Sequence, residues 1–205
     1  MAEWLKVLIL GIVEGLTEFL PVSSTGHLIV TSSFLSLRDS LSGTFEIFIQ
    51  IGAVVAVLLF YLSDFWQQAR TVTRDHTVRH LWLSVLVAFF PAAVLGLLFD
   101  DMIEELLFGP TVVALALIAG GVLFLLVERY AFTDMAGSKT ENIEAVTLRA
   151  ALLVGIMQTL ALIPGMSRSG MSIIGGMAAG MSRKTATQFS FYLAIPTLGG
   201  ATVYT

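Results

Sequence analysis

The sequence predicts an all-α, polytopic membrane helix bundle made of two inverted repeats, each with a broken, re-entrant helix pair. Hydrophobic residues make up 56% of the 205-residue chain and charged residues only 13%, with a mean hydropathy of +0.87, outside the range of soluble domains. A membrane-spanning helix needs roughly 20 mainly apolar residues. Charge-free runs that approach or reach this length lie at 47–63, 81–99, 106–127, 150–167 and 185–205. We therefore interpret residues 1–205 as one membrane domain.

An internal repeat appears when the chain is compared with itself at a shift of 144 residues. The matched positions are Gly11, Ile12, Leu16, Ser23, Gly26, Phe45 and Ile51 with Gly155, Ile156, Leu160, Ser167, Gly170, Phe189 and Ile195. Chance identity between apolar segments is the alternative, but both copies also share the order of their features: apolar helix, proline, polar loop, short apolar stretch, long apolar segment. Repeat 1 is placed at about 5–63, the connecting spans at about 81–130 and repeat 2 at about 149–205.

Two prolines indicate where the first helix of each repeat is interrupted. Residues 5–35 and 149–181 have the pattern of helix, break and helix, and Pro21 and Pro164 end the first arm because proline lacks a backbone donor and clashes with the preceding turn. Broken helices occur at membrane depth only where the freed backbone faces a cavity or other protein groups. An odd number of crossings separates the copies, so the second is expected to be inverted and to meet the first near mid-membrane.

Charges in the connections predict the orientation of the spans. Three arginines crowd 64–80, whereas 100–105 has four acidic residues and no basic one, so the positive-inside bias places 64–80 in the cytoplasm. The mixed-charge connection 128–149 is then also cytoplasmic. His76 and His80 fall in the first connection, where we interpret them as solvated loop residues, although their i, i+4 spacing is compatible with a metal site.

Composition excludes several kinds of chemistry. The chain has no cysteine, which rules out disulfides, thiolate metal sites and thiol catalysis. A net charge of −4 gives no reason to expect nucleic acid as a partner. The apolar N-terminal segment is interpreted as mature structure because Glu14 and Glu18 follow at once and no cleavage-type pattern of small residues is present.

The stretch EGLTEFLPVSSTGH, residues 14–27, places polar groups inside an apolar segment. Glu14 and Glu18 are i and i+4, so they share a helix face, and two carboxylates in a low-dielectric setting must be partly protonated, near a cation or hydrated. Ser23, Ser24 and Thr25 follow the break, where a hydroxyl caps the next half-helix and free N–H groups point into the cavity. The segment is therefore the first candidate for a functional site.

The matching segment of repeat 2 is PGMSRSGMS, in which Arg168 stands between Ser167 and Ser169. An arginine among small hydroxyls at a helix start is suited to hold a phosphate. Plainer interpretations exist, because a serine can simply cap, an arginine can snorkel and paired glutamates can serve a proton pathway. Brought together by the repeat, two carboxylates, a histidine, hydroxyls and an arginine indicate phosphoryl transfer.

Four segments, EGLTEFLPVSSTGH, FEIFIQIGA, PGMSRSGMS and FSFYLAIPT, resemble the signature segments of the bacterial undecaprenyl-diphosphate phosphatase family, which is associated with bacitracin resistance. The resemblance extends over essentially the whole chain. It implies a membrane hydrolase that removes the terminal phosphate of the C55 isoprenyl diphosphate. The product, undecaprenyl phosphate, is the lipid carrier recycled for peptidoglycan and other cell-wall polymers.

Carried over residue by residue, the resemblance implies catalytic roles for Glu14, Glu18, Ser24, His27 and Arg168. Substrate contacts are expected from small residues around them, namely Ser23, Thr25, Ser167, Ser169, Gly170 and Ser172. The family often has Thr where this chain has Ser172, a difference that keeps the hydroxyl.

The expected chemistry combines a cation with a nucleophile. Glu14 and Glu18 are expected to hold a divalent cation, Mg²⁺ or Ca²⁺, because carboxylate oxygens suit these ions. Attack by Ser24 with His27 as its base is the preferred interpretation, and direct attack by His27 through a phosphohistidine is the alternative. A transporter or flippase of polyprenyl phosphate that uses the same pocket is the rival function, because inverted repeats with broken helices also build transporters.

The expected partners are undecaprenyl diphosphate, membrane lipids and a second copy of the chain in a homodimer. The expected location is the bacterial inner membrane, with multiple crossings. Extending the repeat past Thr205 by two crossings of roughly 20 residues predicts a whole protein of about 270 residues. The 205-residue chain is thus expected to be C-terminally truncated.

Overall fold

The computed structural model describes residues 2–36, 42–134 and 140–204. Its α-helices are α1 (Glu3–Thr17), α2 (Ser24–Phe34), α3 (Ser42–Phe60), α4 (Leu62–Thr71), α5 (His76–Leu107), α6 (Pro110–Asp134), α7 (Leu148–Gln158), α8 (Arg168–Ala178) and α9 (Arg183–Tyr204). Two 3₁₀ turns, Ile143–Ala145 and Thr159–Leu162, and a single parallel bridge between Thr140 and Met181 are the other regular features of the described residues. The predicted all-α class is confirmed.

Both segments predicted as helix, break and helix have that form. α1 ends at Thr17 and α2 begins at Ser24, while α7 ends at Gln158, continues as a 3₁₀ turn and gives way to α8 at Arg168. Proline lies inside each interruption, where it cannot continue a helical hydrogen-bond ladder. The inversion of one copy relative to the other stays a prediction.

The two half-helices that follow the breaks start with the same cap. The Ser23 hydroxyl accepts from the Gly26 N–H at 3.5 Å, and the Ser167 hydroxyl accepts from the Gly170 N–H at 3.1 Å. These serines and glycines are matched positions of the predicted 144-residue repeat. The caps satisfy backbone donors that water cannot reach in a buried break.

The prediction that 64–80 is a loop is wrong, because α4 and the start of α5 occupy most of it. α3 meets α4 at a bend of 70°, and only residues 72–75 separate α4 from α5. Asp75 caps α5 by accepting from the Thr77 N–H at 2.8 Å, and its hydrogen bonds with Thr77 hold the pKa of this carboxyl below its usual value. His76 and His80 therefore lie in the first turns of a helix.

The acidic segment 100–105 is also helical, which corrects the predicted connection between 81–99 and 106–127. α5 continues to Leu107 through a non-helical residue, Phe99, with φ −123° and ψ 18°. The actual boundary is at Gly109, and Pro110 opens α6, where its missing N–H costs no hydrogen bond. Acidic side chains are compatible with a helix, so the charges at 100–105 did not indicate where α5 ends.

Length and hydropathy identify two helical segments of the described chain that could each cross a bilayer, His76–Ile103 and Pro110–Arg129. The bent pair Ile49–Phe60 and Leu62–Thr71 passes the same test jointly. The run 150–167 is not one continuous helix, because α7 stops at Gln158. The run 185–205 corresponds to α9.

The core positions the two breaks against helices of the other segments. α5, α7, α8 and α9 pack together around buried apolar side chains that include Leu81, Val85, Ala88, Val154, Met177, Phe189, Tyr192 and Leu193. α6 supports the second break: a side chain at Gly165, which has φ 100°, would meet the Val113 carbonyl oxygen at 2.6 Å, and one at Gly170 would meet the Phe124 ring at 2.6 Å. Close approach therefore requires glycine at both positions.

Candidate active site

A cavity of about 140 Å³ lies where the two breaks meet. Its polar lining comes from α1, the start of α2, α3 and the start of α8. The described residues that line it are Glu14, Glu18, Ser23, Ser24, Thr25, Leu28, Gln50, Ala161, Met166, Ser167, Arg168 and Leu198. The meeting of the two breaks therefore brings side chains that are more than a hundred residues apart into one small space.

Glu18 is the centre of the polar contacts in this cavity. Its Oε1 accepts from Nη2 of Arg168 at 2.8 Å, and its Oε2 accepts from the Ser24 hydroxyl at 2.5 Å. Glu18 and Ser24 are each only 9% exposed. Each carboxylate oxygen thus accepts from one donor, Ser24 at the first break or Arg168 at the second. Charge–charge interactions at such a buried position are screened less than at a surface.

Arg168 is held by a second contact. Its Nη1 donates to the Ser190 carbonyl oxygen at 3.2 Å, and Nε is buried with no hydrogen-bond partner among the described residues. The guanidinium is therefore oriented by α1 and α9 and retains a donor that is not engaged. A planar group held in this way is suited to bind a phosphate through two parallel hydrogen bonds.

Further serines tie the start of α8 to its surroundings. The Ser169 hydroxyl donates to the Leu20 carbonyl oxygen at 2.8 Å, which joins the first break directly to the second. The Ser172 hydroxyl donates to the backbone of its own helix and lies 2.7 Å from the Ser190 hydroxyl. These contacts fix the position of Arg168 relative to Glu18.

The first break contains a strained residue beside the nucleophile candidate. Ser23 has φ 61° and ψ 99°, a left-handed conformation that residues other than glycine seldom adopt. Nδ1 of His27 lies 2.9 Å from the Ser23 carbonyl oxygen, and because that oxygen can only accept, Nδ1 carries the proton. This contact stabilises the backbone immediately before Ser24.

The cavity contains most of the residues singled out from the sequence, with four exceptions. Glu14, Glu18, Ser24 and Arg168 line it together with Ser23, Thr25 and Ser167. Four candidates do not line it: His27, which is exposed, and Ser169, Gly170 and Ser172, which are buried in structural contacts. Their assigned catalytic or substrate-binding roles stay predictions.

Sequence reasoning missed Gln50 and Ser190. Gln50 lies on α3 and lines the cavity, and Ser190 lies on α9 and supplies the carbonyl that holds Arg168. Gln50 could have been found as the one polar side chain in the apolar run FIQIGAVVAVLLF. Ser190 had no such signal, because its role depends on a backbone carbonyl whose direction is set by the packing of α9 on α8.

The chain is similar to known proteins over nearly its whole length. Residues 7–205 match the family model described as bacitracin resistance protein BacA. A protein named undecaprenyl-diphosphatase from Deinococcus deserti is 50% identical over 202 residues, which cover 97% of this chain and 72% of the relative. The proteins of the same name from Deinococcus radiodurans and a Polaromonas species are 51% and 50% identical, with coverage of 97% and 100% of this chain and 72% and 74% of theirs.

Proposed function

The chain belongs to the bacitracin resistance protein BacA family, and we propose that it is a membrane undecaprenyl-diphosphatase. It hydrolyses undecaprenyl diphosphate to undecaprenyl phosphate and inorganic phosphate, which returns the lipid carrier to cell-wall synthesis. The main structural support for this assignment is that Glu18 contacts both Ser24 of the first break and Arg168 of the second. The apolar helices support a multi-pass location in the bacterial inner membrane.

Substrate binding would use the donors that converge on the cavity. The diphosphate is an anion with several oxygens, and Arg168 is a cation placed at the start of a helix, where backbone N–H groups also favour negative charge. The hydroxyls of Ser23, Thr25 and Ser167 line the same space and supply further donors. Substrate oxygens would compete with Glu18 for the guanidinium.

Ser24 is our proposed nucleophile and Glu18 its proton acceptor. Attack by Oγ on the terminal phosphorus forms a phosphoserine and breaks the bond to the bridging oxygen, which leaves with undecaprenyl phosphate. The hydroxyl proton passes to Oε2 of Glu18, its hydrogen-bond acceptor at 2.5 Å. Water then hydrolyses the phosphoserine, which releases inorganic phosphate and regenerates the serine.

His27 has a different role in this proposal from the base suggested by its spacing. Among the described residues, the His27 ring hydrogen-bonds only through Nδ1, to the Ser23 carbonyl oxygen, and the residue is exposed. This arrangement supports a positioning role, in which His27 holds the left-handed turn that presents Ser24. Direct attack by His27 is the competing mechanism.

A divalent cation, Mg²⁺ or Ca²⁺, is part of the proposal. Glu14 and Glu18 both line the cavity, and each oxygen of Glu18 keeps a lone pair beyond its one hydrogen bond, so the donor set fits a hard cation. Among the described residues, no three acidic, histidine or cysteine side chains are placed so that they could together hold a metal ion, so substrate and water oxygens would complete the coordination. The cation, when bound, would neutralise charge on the diphosphate.

The test is release of inorganic phosphate from C55 isoprenyl diphosphate by the purified protein in detergent micelles. Micelles do not separate two aqueous compartments, so phosphate release in micelles measures hydrolysis and not transport. Metal-dependent release that is lost in Ser24→Ala supports the proposal. Binding of the lipid without release, together with transbilayer movement in vesicles, would instead favour the transporter.

A further inference from the structure

Gln50 lies at the end of the buried stripe of α3. Ala53 and Val57, three and seven residues further on, share its helix face and are each 5% exposed. Ala53 packs against Ala194 and Leu198 of α9. Gln50 lies on the same side of α3 and lines the cavity together with Leu198. The amide is thus directed into the protein and not toward lipid.

A structural role for this amide would need a partner on a neighbouring helix. Polar side chains of membrane helices commonly hydrogen-bond to adjacent helices. Gln68 does so: its Nε2 donates to the Tyr192 hydroxyl at 2.9 Å, and its Oε1 accepts from Nε1 of Trp82 at 3.0 Å. Among the described residues, the Gln50 amide has no such hydrogen bond.

An amide at membrane depth without a partner costs free energy unless a ligand or water satisfies it. Gln50 belongs to Ile49–Phe60, part of the bent pair that is apolar enough to cross a bilayer, and it is half-buried and lines the same cavity as the two glutamates. The ligand that enters this cavity is therefore the candidate partner. A contact with a ligand therefore explains why an amide is present at this position, whereas a hydrogen bond to a neighbouring helix does not.

The charge of the cavity determines which kind of ligand contact is favourable. Glu14, Glu18 and Arg168 are the charged groups that line it, one cation against two carboxylates. Oxygens of a diphosphate need donors, and a third carboxylate would repel them, whereas a neutral amide of the same size donates.

We propose that Gln50 is a substrate-contacting residue whose amide N–H donates to an oxygen of the diphosphate, and that the site requires a neutral donor here. This inference rests on the proposed function only for the identity of the lipid. The contact of the amide with a diphosphate oxygen follows from the charges and donors that line the cavity. It assigns to α3 a direct part in recognition, beside α1, α2 and α8.

The experiment compares Gln50→Glu with Gln50→Met, each of which keeps the length of the side chain. We measure binding of inorganic diphosphate to the purified protein by calorimetry, and kcat and KM for release of phosphate from the C55 diphosphate. Both variants should bind diphosphate at least ~10-fold more weakly, and Gln50→Glu should lose about 10²-fold in kcat/KM at neutral pH, which is typical of one missing donor plus repulsion. The ratio of Gln50→Glu to wild-type activity should rise as the pH falls, since a protonated carboxyl can donate.

Gln67, which is exposed on α4, provides the matched control. Gln67→Glu and Gln67→Met should leave diphosphate binding and kcat/KM within about twofold of wild type, as is usual for surface changes. Unchanged diphosphate binding in both Gln50 variants would overturn the inference. So would a Gln50→Glu protein that keeps its turnover and needs less Mg²⁺ for half-activation, because the side chain would then face the cation.

The two proposals fail separately. If wild-type protein releases no phosphate but Gln50→Glu still weakens diphosphate binding, the enzymatic assignment is wrong and the contact stands. If wild type hydrolyses the lipid normally and the Gln50 variants behave like wild type in both assays, the contact is wrong and the enzyme stands.

Discussion

Arg168 and Glu18 form an ion pair of 2.8 Å between residues 150 positions apart in the chain. Their side chains are 12% and 9% exposed, so the pair is largely removed from solvent. It joins the start of α8 to the end of α1, and the Ser169 contact with the Leu20 carbonyl reinforces the same junction. The site therefore depends on how the two breaks are held together.

The first prediction concerns the dual role of Glu18. Glu18→Gln should lower phosphate release by at least ~10²-fold and lower the melting temperature, because removal of one partner of a buried ion pair costs about 3 kcal/mol or more. Adding Arg168→Met to this variant should restore the melting temperature but not activity. Equal stability of wild type and Glu18→Gln would show that the pair contributes nothing to the junction.

Replacement of Glu14 tests cation binding while both partners of the Arg168–Glu18 ion pair stay in place. Glu14→Gln should reduce turnover by at least ~10²-fold and raise the Mg²⁺ or Ca²⁺ concentration for half-activation, because a neutral amide binds a hard cation more weakly than a carboxylate. Chelation of the wild-type protein should reproduce the loss, and added cation should reverse it. Turnover that keeps its wild-type cation dependence in Glu14→Gln would refute the cation assignment.

Replacement of Arg168 by lysine tests the phosphate contact. Arg168→Lys should lose at least ~10²-fold in turnover, because a point charge cannot reproduce the planar fork that contacts Glu18, Ser190 and the substrate. The control is Arg183→Lys, whose pair with Glu128 at 2.9 Å is more than half exposed and should matter little. Activity of Arg168→Lys within a few-fold of wild type would indicate that Arg168 snorkels and does not bind phosphate through its planar group.

The role of His27 is tested by replacement with asparagine, whose side-chain amide can donate in place of Nδ1, and with alanine, which cannot. His27→Asn keeps a donor near the position of Nδ1 and should retain activity within about tenfold, whereas His27→Ala should lose more, since the turn at Ser23 is no longer held. Ser24→Ala should abolish release in every background. Acid-labile phosphate trapped on His27 would show that histidine attacks directly.

Gly155 and Gly11 are matched positions of the predicted repeat but have different surroundings. A side chain at Gly155 would clash with the Ala88 carbonyl oxygen of α5, while one at Gly11 would meet nothing within 4 Å. Gly155→Ala should therefore destabilise the protein by about 1–3 kcal/mol. Gly11→Ala should be neutral or slightly stabilising, because alanine favours the helix by about 1 kcal/mol over glycine. Thermal unfolding in detergent measures both.

Local features of the chain determined the class of the protein and the position of its breaks. Pro21 and Pro164 lie inside the two interruptions, although Pro91 and Pro196 lie within α5 and α9. Ser23 and Ser167 cap the next helix through hydrogen bonds that span three residues. The charged and hydroxyl groups Glu14, Glu18, Ser24 and Arg168 were identifiable because their types are costly in an apolar setting. Local charge failed at 100–105, where a kink at Phe99 left the acidic segment inside α5.

Tertiary structure alone decided which of these groups meet. Spacing suggested that Ser24 would pair with His27, three residues away, but the half-helix turns the ring toward the Ser23 carbonyl, and Glu18 receives the hydroxyl from across the break. Gln50 joins the site only because α3 packs on α9 beside the cavity. The contacts of Ser24 and His27 depend on the path of the chain through the first break, whereas the Arg168–Glu18 pair and the place of Gln50 depend on packing between distant segments. A hydrogen bond is made or lost over shifts of about 1 Å, far below what residue spacing along a chain specifies.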